Sequence, residues 1–553
     1  MDWLFMRPDE RKVSALVREL GISPFTAAVL VNRGVEDPEA ALGYTHDPTK
    51  LLHDPGLFRD MDRAVERILR ARSRGERVVI YGDYDADGVT GCAVLSMFFR
   101  ELGVEHQVVI PHRLRHGYGL SLEALKDGAS GDFSLVVTVD CGISSVAEVA
   151  ALASGGVDVV ITDHHTPGAL TPPAVAVINP KHDEGYPFRG LAGVGVVMKL
   201  VEALAREVGG EDYRREVIKR FIPVVALGTV ADVVEILDEN RFFVKYGLKL
   251  AREHPGIRAL MRASGILERP LGVWEVAFIL APRINAPGRM DSAAPAFRLL
   301  TAASEEEAQG IAEELCRHNS RRQREEERVA AEALERFRDE GVPFALIWGE
   351  NWHPGVIGIA ASRVARELER PTVLVSFNGS EVGRGSGRSY GDADLYGIVS
   401  SASHLLISFG GHKKAVGLSV RRDRIEELKE ALYRRAADLR LAKQALKIDA
   451  VLSTEDLEAG LIREIISLSP YGEGFEEPVF AFMGARVISA REMSNGGAMF
   501  EVVQGRVAVD AVSFDPVELK RGGVYDVAAS IEISTWRGEK RLRLRCRDVR
   551  ERR

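Results

Sequence analysis

The sequence predicts an α/β protein with four parts: a parallel-sheet catalytic unit, a long connecting helix, a smaller α/β unit and a C-terminal β-barrel. Three observations predict it. Short, mainly apolar runs at 78–82, 135–139 and 157–162 each lead into an acidic residue, the pattern of strands buried on both faces of a parallel sheet. Residues 304–340 are almost free of glycine and proline and set Ile311, Leu315, Val329, Ala333, Leu334 and Phe337 among dense charge, which reads as long helix with solvated faces. Beyond these, strand-like runs at 485–488, 499–503, 507–514 and 524–533 are separated by glycine-containing breaks, the layout of a small barrel. At 553 residues the chain has room for about three or four domains. The expected boundaries are 1–76, 77–300, 301–342, 343–441 and 442–553.

The first segment, 1–76, carries amphipathic helix patterns at 13–20 and 61–72, expected to pack beside the catalytic sheet. Chemistry begins where it ends. Val78-Val79-Ile80-Tyr81-Gly82-Asp83-Tyr84-Asp85-Ala86-Asp87-Gly88 places three carboxylates at alternate positions directly after an apolar strand. In a parallel sheet, ligands bind in the crevice beyond the carboxyl ends of the strands. Carboxylates gathered there repel one another unless a cation sits among them. The D-x-D-x-D-G spacing also opens an EF-hand loop, but the twelfth position, which should be a bidentate Glu, is Val94, and this excludes that loop. Asp85-Ala86-Asp87-Gly88-Val89-Thr90 also resembles the first motif of haloacid-dehalogenase-type phosphatases, a reading this segment alone leaves open.

The same layout recurs along the second segment. The run 135–139 ends in Asp140, the run 157–162 ends in Asp163-His164-His165-Thr166-Pro167, and the apolar, small-residue run 224–231 ends in Asp232. One such acid would read as a helix cap or a solvated loop residue. Four segments with a shared strand-then-acid layout read as a metal site, and His among carboxylates suits manganese or a related divalent ion better than calcium. Asp85-Ala86-Asp87, Asp140, Asp163-His164-His165 and Asp232 match, in order, the four motifs of the DHH phosphoesterase superfamily, which the chain resembles. The resemblance implies hydrolysis of phosphate esters or anhydrides with Mn2+ or Mg2+, two ions per site, held by Asp83, Asp85, Asp87, Asp140, His164 and Asp232. Asp85, Asp87, Asp140, His164, His165 and Asp232 form the implied catalytic set, His165 orienting its neighbour or meeting the phosphate. Tyr81 stands where the superfamily's inorganic pyrophosphatases carry a His, so Asp83 is expected to take part of that role.

Downstream features narrow the resemblance. Pro282-Arg283-Ile284-Asn285-Ala286-Pro287-Gly288-Arg289-Met290 precedes the long helix, and a second α/β pattern follows it at 344–348, 356–368 and 372–375. Two glycine-rich segments, expected as turns, come next: Gly383-Arg384-Gly385-Ser386-Gly387-Arg388-Ser389 and Phe409-Gly410-Gly411-His412-Lys413-Lys414-Ala415-Val416-Gly417. Glycine lets backbone approach phosphate closely and Arg offers it a planar fork. With Asn351-Trp352-His353-Pro354-Gly355 they match the DHH-associated substrate-binding domain. Ser469-Pro470-Tyr471-Gly472-Glu473-Gly474-Phe475-Glu476-Glu477-Pro478 resembles the linker into the oligonucleotide-binding (OB) domain of RecJ exonucleases, with Phe475 in place of the usual Asn. The last strand alternates Arg541, Arg543, Arg545 and Arg547 with Leu542, Leu544 and Cys546, placing the arginines on one face as a phosphate-tracking surface or as a charged, protected edge.

Domain order thus favours the RecJ family. It implies a 5′-to-3′ exonuclease that hydrolyses single-stranded DNA to 5′-mononucleotides in repair and recombination, with Arg283, Arg289, His353, Ser386, Arg388 and His412 holding substrate. Single-stranded DNA is the implied partner, with room for recruitment by a single-strand-binding protein or a helicase, and the chain is expected to act as a monomer. The rival readings are a DHH-type nuclease for very short RNA, a nucleotide phosphatase, and a single-strand-binding scaffold whose nuclease has decayed. A net charge of −8 argues against indiscriminate nucleic-acid binding, so a strand must meet local positive patches. Cys92, Cys141, Cys316 and Cys546 form no C-x-x-C pair and read as reduced thiols of a cytoplasmic protein. The start has no signal-peptide core and no run is long enough to span a bilayer, which separates the chain from the membrane-anchored cyclic-dinucleotide phosphodiesterases of the superfamily.

Overall fold

The computed structural model describes residues 2–441, 445–536 and 539–552. The expected boundary at 441/442 adjoins residues 442–444, which lie outside the described residues. Five parallel strands form the first sheet in the order His106–Val109, Val78–Gly82, Leu135–Val139, Asp158–Thr162, Ala176–Ile178. Val78–Gly82 and Leu135–Val139 are buried throughout, as their unbroken apolar runs require. The chain leaves Val78–Gly82 for one edge and returns on its other side, so the topological switch lies between these two strands. Asp83 and Asp140 follow their carboxyl ends and flank the crevice where such sheets bind ligands.

Two helices bring the remaining acids to that crevice. Asp85 N-caps Ala86–Leu102, its Oδ1 accepting from the N–H groups of Asp87 (3.0 Å) and Gly88 (3.1 Å). Gly91 lets this helix lie close on the sheet; a Cβ there would stand 2.6 Å from Cγ1 of Val139. Residues 224–231, expected as a strand, are instead the last turns of a helical stretch, Gly193–Ala231, that breaks at a kink at Gly210 (φ 74°, ψ −170°), and Asp232 is its C-cap. Periodicity cannot separate a short, wholly buried helix segment from a buried strand. Gly228 sits where the two helices meet, with Thr90 and Val194 filling the space of a side chain.

The N-terminal segment serves two neighbours. Helix Met61–Arg74 packs on the catalytic unit, its buried Arg67 paired with Glu76 at 2.8 Å. Trp3–Phe5, however, pairs in parallel with Leu446–Ile448, and Arg33 meets Asp449 at 2.6 Å, so the segment also braces the barrel rather than the catalytic sheet alone. The charge-rich stretch after residue 304 is one helix, Glu305–Arg336, with Ser304 as N-cap and three glutamates in its first turn.

The second sheet runs Leu406–His412, Ala415–Arg421, Val382–Arg388, Thr372–Ser376, Ala345–Gly349, with only the last pair parallel. The two glycine-rich segments expected as turns are therefore mostly strand. Gly383, Gly385 and Gly387 alternate onto one crowded face, where a Cβ would meet Val375, Leu418 and Val416 at 2.7–2.8 Å. Five strands of the last unit close into a barrel, Phe480–Glu492 pairing with both Ala498–Gln504 and Val524–Trp536. Leu544 and Cys546 are buried and Arg547 is exposed, as period two demands; Arg543 pairs with Glu532, and Arg545 and Arg547 both pair with Glu477. Among the described residues no helix is long and apolar enough to cross a membrane.

Candidate metal centre and substrate cleft

The strand ends and helix caps converge on one buried cluster. His164 Nε2 lies 3.2 Å from Asp140 Oδ1, 3.6 Å from Asp232 Oδ2 and 3.9 Å from Asp87 Oδ2. Ligand atoms lie within 4.8 Å of one another in three overlapping groups: Asp140, His164 and His165; Asp87, His164 and Asp232; and Asp83, Asp85 and Asp140. All six expected ligands are thus together, and His165 approaches Asp140 as well.

The cluster's electrostatics call for a cation. Burial, reinforced by neighbouring carboxylates, pushes Asp83 and Asp140 well above the usual carboxylate range, Asp87 up to about 7 and Asp232 up to about 9. Burial and the neighbouring His165 bring His164 down to about 3, which keeps its imidazole neutral and its lone pair free. Asp83 Oδ1, Asp140 Oδ1 and His164 Nε2 are buried with no hydrogen-bond partner. Orphaned acceptors facing one another are what a divalent ion satisfies, so the donor set fits manganese or magnesium.

Neighbouring groups hold this cluster in place. Asp87 accepts from the backbone N–H groups of Gly193 (2.7 Å) and Val194 (2.8 Å) at the start of the helix Gly193–Ala231. Asp163 turns inward, accepting from Ile143 N at 2.9 Å, and bonds His165 Nδ1 at 2.8 Å. Burial opposes both charges, yet this pairing holds Asp163 below and His165 above their ordinary values. Sequence reasoning missed the Gly193 contribution; its signal was the run Gly190-Leu191-Ala192-Gly193-Val194-Gly195 opening a helix.

A basic wall faces the cluster. Asn285 Oδ1 accepts from Ala86 N at 2.8 Å, and a Cβ on Gly288 would stand 2.6 Å from Tyr84 O, so the helix Ala281–Met290 is clamped over the acid motif. Arg289, on that helix, is brought down to about 10 by burial and by Arg113, and Arg388 is lowered for the same two reasons. Three guanidinium groups are therefore near enough to repel one another, an arrangement that favours an anion among them. Arg388 Nη1 donates to Ser386 Oγ at 3.0 Å, and both abut Gly358 in the first turn of the helix Ile357–Glu367. Arg283 is tied to Ile279 O at 2.6 Å but leaves its Nε without a partner. His353 accepts from Gly355 N at 3.1 Å in a loop packed on Arg289. His412 is exposed at a hairpin end, one row across the sheet from Arg388 through Ala415.

Arg113 and Tyr118 belong to this wall and were not singled out from sequence. Arg113 lies 5.0 Å over the Tyr84 ring, and the exposed Tyr118 ring stands 5.3 Å from that of His165. Their signal was positional: the basic, glycine-containing loop 111–120 leaves the carboxyl end of His106–Val109, the same sheet edge that supplies Asp83 and Asp140.

Fold and site together define a phosphoesterase of the DHH type. Family models match in sequence order: the DHH family N-terminal domain at 77–229, the DHHA1 domain at 340–438 and the RecJ OB domain at 448–548. The single-stranded-DNA-specific exonuclease RecJ of Bacillus subtilis is 33% identical over 99% of this chain and 71% of its own length. The Escherichia coli protein of that name is 33% identical over 88% of this chain and 89% of its own. A crystal structure of Thermus thermophilus RecJ in complex with Mn2+ superposes with a TM-score of 0.83 at 30% identity, covering 100% of this chain and 80% of that one; its Mg2+ counterpart gives 0.78 at 27% identity. The chain belongs to the RecJ family.

Proposed function

We propose that the protein is a metal-dependent exonuclease that hydrolyses single-stranded DNA from the 5′ end to 5′-mononucleotides. The observation that carries this is the juxtaposition of an orphaned carboxylate–imidazole cluster with converging arginines across one cleft. Asp83, Asp85, Asp87, Asp140, His164 and Asp232 would hold one or two divalent ions, Mn2+ or Mg2+. When bound, such ions supply Lewis acidity, lowering the pKa of water and offsetting charge on the phosphodiester.

The remaining work falls to the chain. Arg113, Arg289 and Arg388, with Ser386 and the first turn of Ile357–Glu367, hold the terminal 5′-phosphate and so define the end that enters. Arg283, His353 and His412 meet the strand's phosphates alongside it. His165, fixed by Asp163, presents its half-exposed ring to the reacting phosphate. Water adds to phosphorus as the bond to the 3′ oxygen breaks; that oxygen leaves with a proton, one 5′-mononucleotide departs, and a new 5′-phosphate remains on the shortened strand. The domain division given by the sequence serves this scheme: residues 77–300 supply the acids, 301–342 the spacer, 343–441 the phosphate grip and 442–553 the barrel that follows the strand. Four free thiols, three of them buried, support a cytoplasmic location, and a single-strand-binding protein or a helicase would deliver the strand to a monomeric enzyme.

The test uses manganese and a long single strand labelled separately at each end, with a blunt duplex as control. Release of mononucleotides from the 5′ end with the duplex spared is the expected result. An intact long strand alongside turnover of dinucleotides or adenosine bisphosphate would move the protein to the small-substrate branch of the superfamily.

A further inference from the structure

A cavity of about 1000 Å³ lies away from the metal cluster, between the helix Asp238–Leu250, the linker 466–471 and the last barrel strand Glu539–Glu551. Lys245, Lys249, Arg252, Arg545 and Arg547 line it against two acids, Glu275 and Glu477. In a chain of net charge −8 this is a concentrated positive surface. The cations already press on one another: burial, then Arg241 and Lys249, lowers Lys245 to about 8.

Trp274 forms one wall of the cavity. Trp274 is 59% exposed and Phe278, one turn on, is 66% exposed; their rings lie 5.6 Å apart at 35°. Large aromatic rings side by side in water are costly unless something covers them. Trp274 stands in the short helix Val273–Glu275 and Phe278 in the π-helix Val276–Leu280 that follows it, which continues directly into the helix carrying Arg283 over the metal cluster. From Trp274 to Arg283 is about 13 Å at helical rise. Positive cavity, exposed rings and catalytic arginine thus form one path from the barrel's arginine face to the acids.

We infer that this cavity and the Trp274–Phe278 pair are the track for the single strand on the 3′ side of the cut, the two rings stacking on successive bases while Lys249 and its neighbours follow the phosphates. This rests on the exonuclease reading and assigns residues to the strand beyond the reacting nucleotide. Base–aromatic stacking tolerates any sequence because every base has a π face, and an enzyme that consumes a strand from its end needs such tolerance.

The test compares Trp274→Ala and Phe278→Ala with Trp274→Phe in the full chain with manganese, using long oligothymidylate. Both rings are exposed, so their removal leaves the core intact. The expected result is a KM raised by about tenfold for each alanine variant, kcat within about twofold of wild type, and recovery in Trp274→Phe. Lys249→Glu should raise KM further and flatten its dependence on salt. An unchanged KM, or a fall in kcat alone, overturns the assignment. So does displacement of nothing but a poly-glutamate peptide from the cavity, which would give the site to an acidic protein partner. A wild-type protein that leaves long strands uncut would instead sink the exonuclease reading itself.

Discussion

Asp140 leaves its strand at φ 60°, in the left-handed region that a non-glycine residue occupies only when its surroundings insist. Gly193 makes room for its side chain: a Cβ there would stand 2.6 Å from Asp140 Oδ1, 2.7 Å from its Cβ and 2.8 Å from its Cγ. Gly193→Ala should therefore lower hydrolysis by about 100-fold or more, since a misplacement near 1 Å at the reacting centre costs that much. Asp140→Ala should abolish hydrolysis while leaving strand binding largely intact and removing the rise in Tm that manganese gives the wild type. Near-native turnover in Asp140→Ala would refute the metal assignment. Every acid of the cluster was legible in sequence, because Asp83, Asp140 and Asp232 each follow an apolar run and Asp85 and Asp87 follow Asp83 at alternate positions. Gly193 and Arg113 were not, because their part depends on which loops the sheet order brings together. His254 shows a titrating residue outside the site. Its Nδ1 caps the helix Pro255–Ala263 by accepting from Ile257 N at 3.3 Å, and burial brings it down to about 4. The unfolded chain takes up a proton as pH falls through about 6.5 while the folded one does not until about 4, so stability is lost between those values. Thermal melts at pH 7 and pH 5 should show a drop in Tm that shrinks in His254→Asn, which keeps a capping oxygen.

At the scale of elements, buried arginine and aromatic rings fasten the parts together. Arg241 is fully buried, its guanidinium 4.5 Å from the Phe475 ring and 5.0 Å from that of Tyr44, and Nη1 donates to Pro470 O at 2.9 Å. The N-terminal segment, the catalytic unit and the linker into the barrel meet at this one cation. Phe475, where the family motif has Asn, stacks on Tyr44 at 5.4 Å and supplies the face Arg241 rests on. Phe475→Ala should cost about 3–5 kcal/mol, and more of it in the barrel's attachment than in the catalytic sheet. Limited proteolysis should cut the linker earlier than in wild type; unchanged resistance would remove the latch from the account. Elements read from pattern alone fared according to how local their cause was. The helix Glu305–Arg336 and the parallel strands follow from periodicity and burial, and the structure has them. The run ending at Asp232 and the glycine-rich strand Val382–Arg388 do not: helix packing through Gly228 and alternate close contacts at Gly383, Gly385 and Gly387 are tertiary causes that a one-dimensional pattern cannot carry.

Over the whole molecule, charge decides how a strand is met. With a net charge of −8 the protein has no general basic surface, so affinity must come from a small number of placed contacts. Arg113, Arg283, Arg289 and Arg388 face the cleft, while the barrel arginines Arg543, Arg545 and Arg547 are largely spent on Glu532 and Glu477. Arg322 also stands near Arg283, lowered by burial and then by that charge despite Glu326, and adds to the positive side of the opening. If about four to six phosphates are neutralised, the logarithm of the association constant should fall against the logarithm of salt with a slope of about −3 to −4 for a single strand. A slope much steeper than this would mean that the strand engages more cations than the cleft arginines and the Lys249 cavity provide. Replacing Arg388 by Ala should lower the slope by less than one unit yet raise KM strongly, because in the proposed function it would grip one terminal phosphate with a planar fork rather than one more step along the backbone. Measured on strands with and without a 5′-phosphate, that loss should appear only with the phosphorylated end, which ties the salt dependence of the whole chain back to the end it selects.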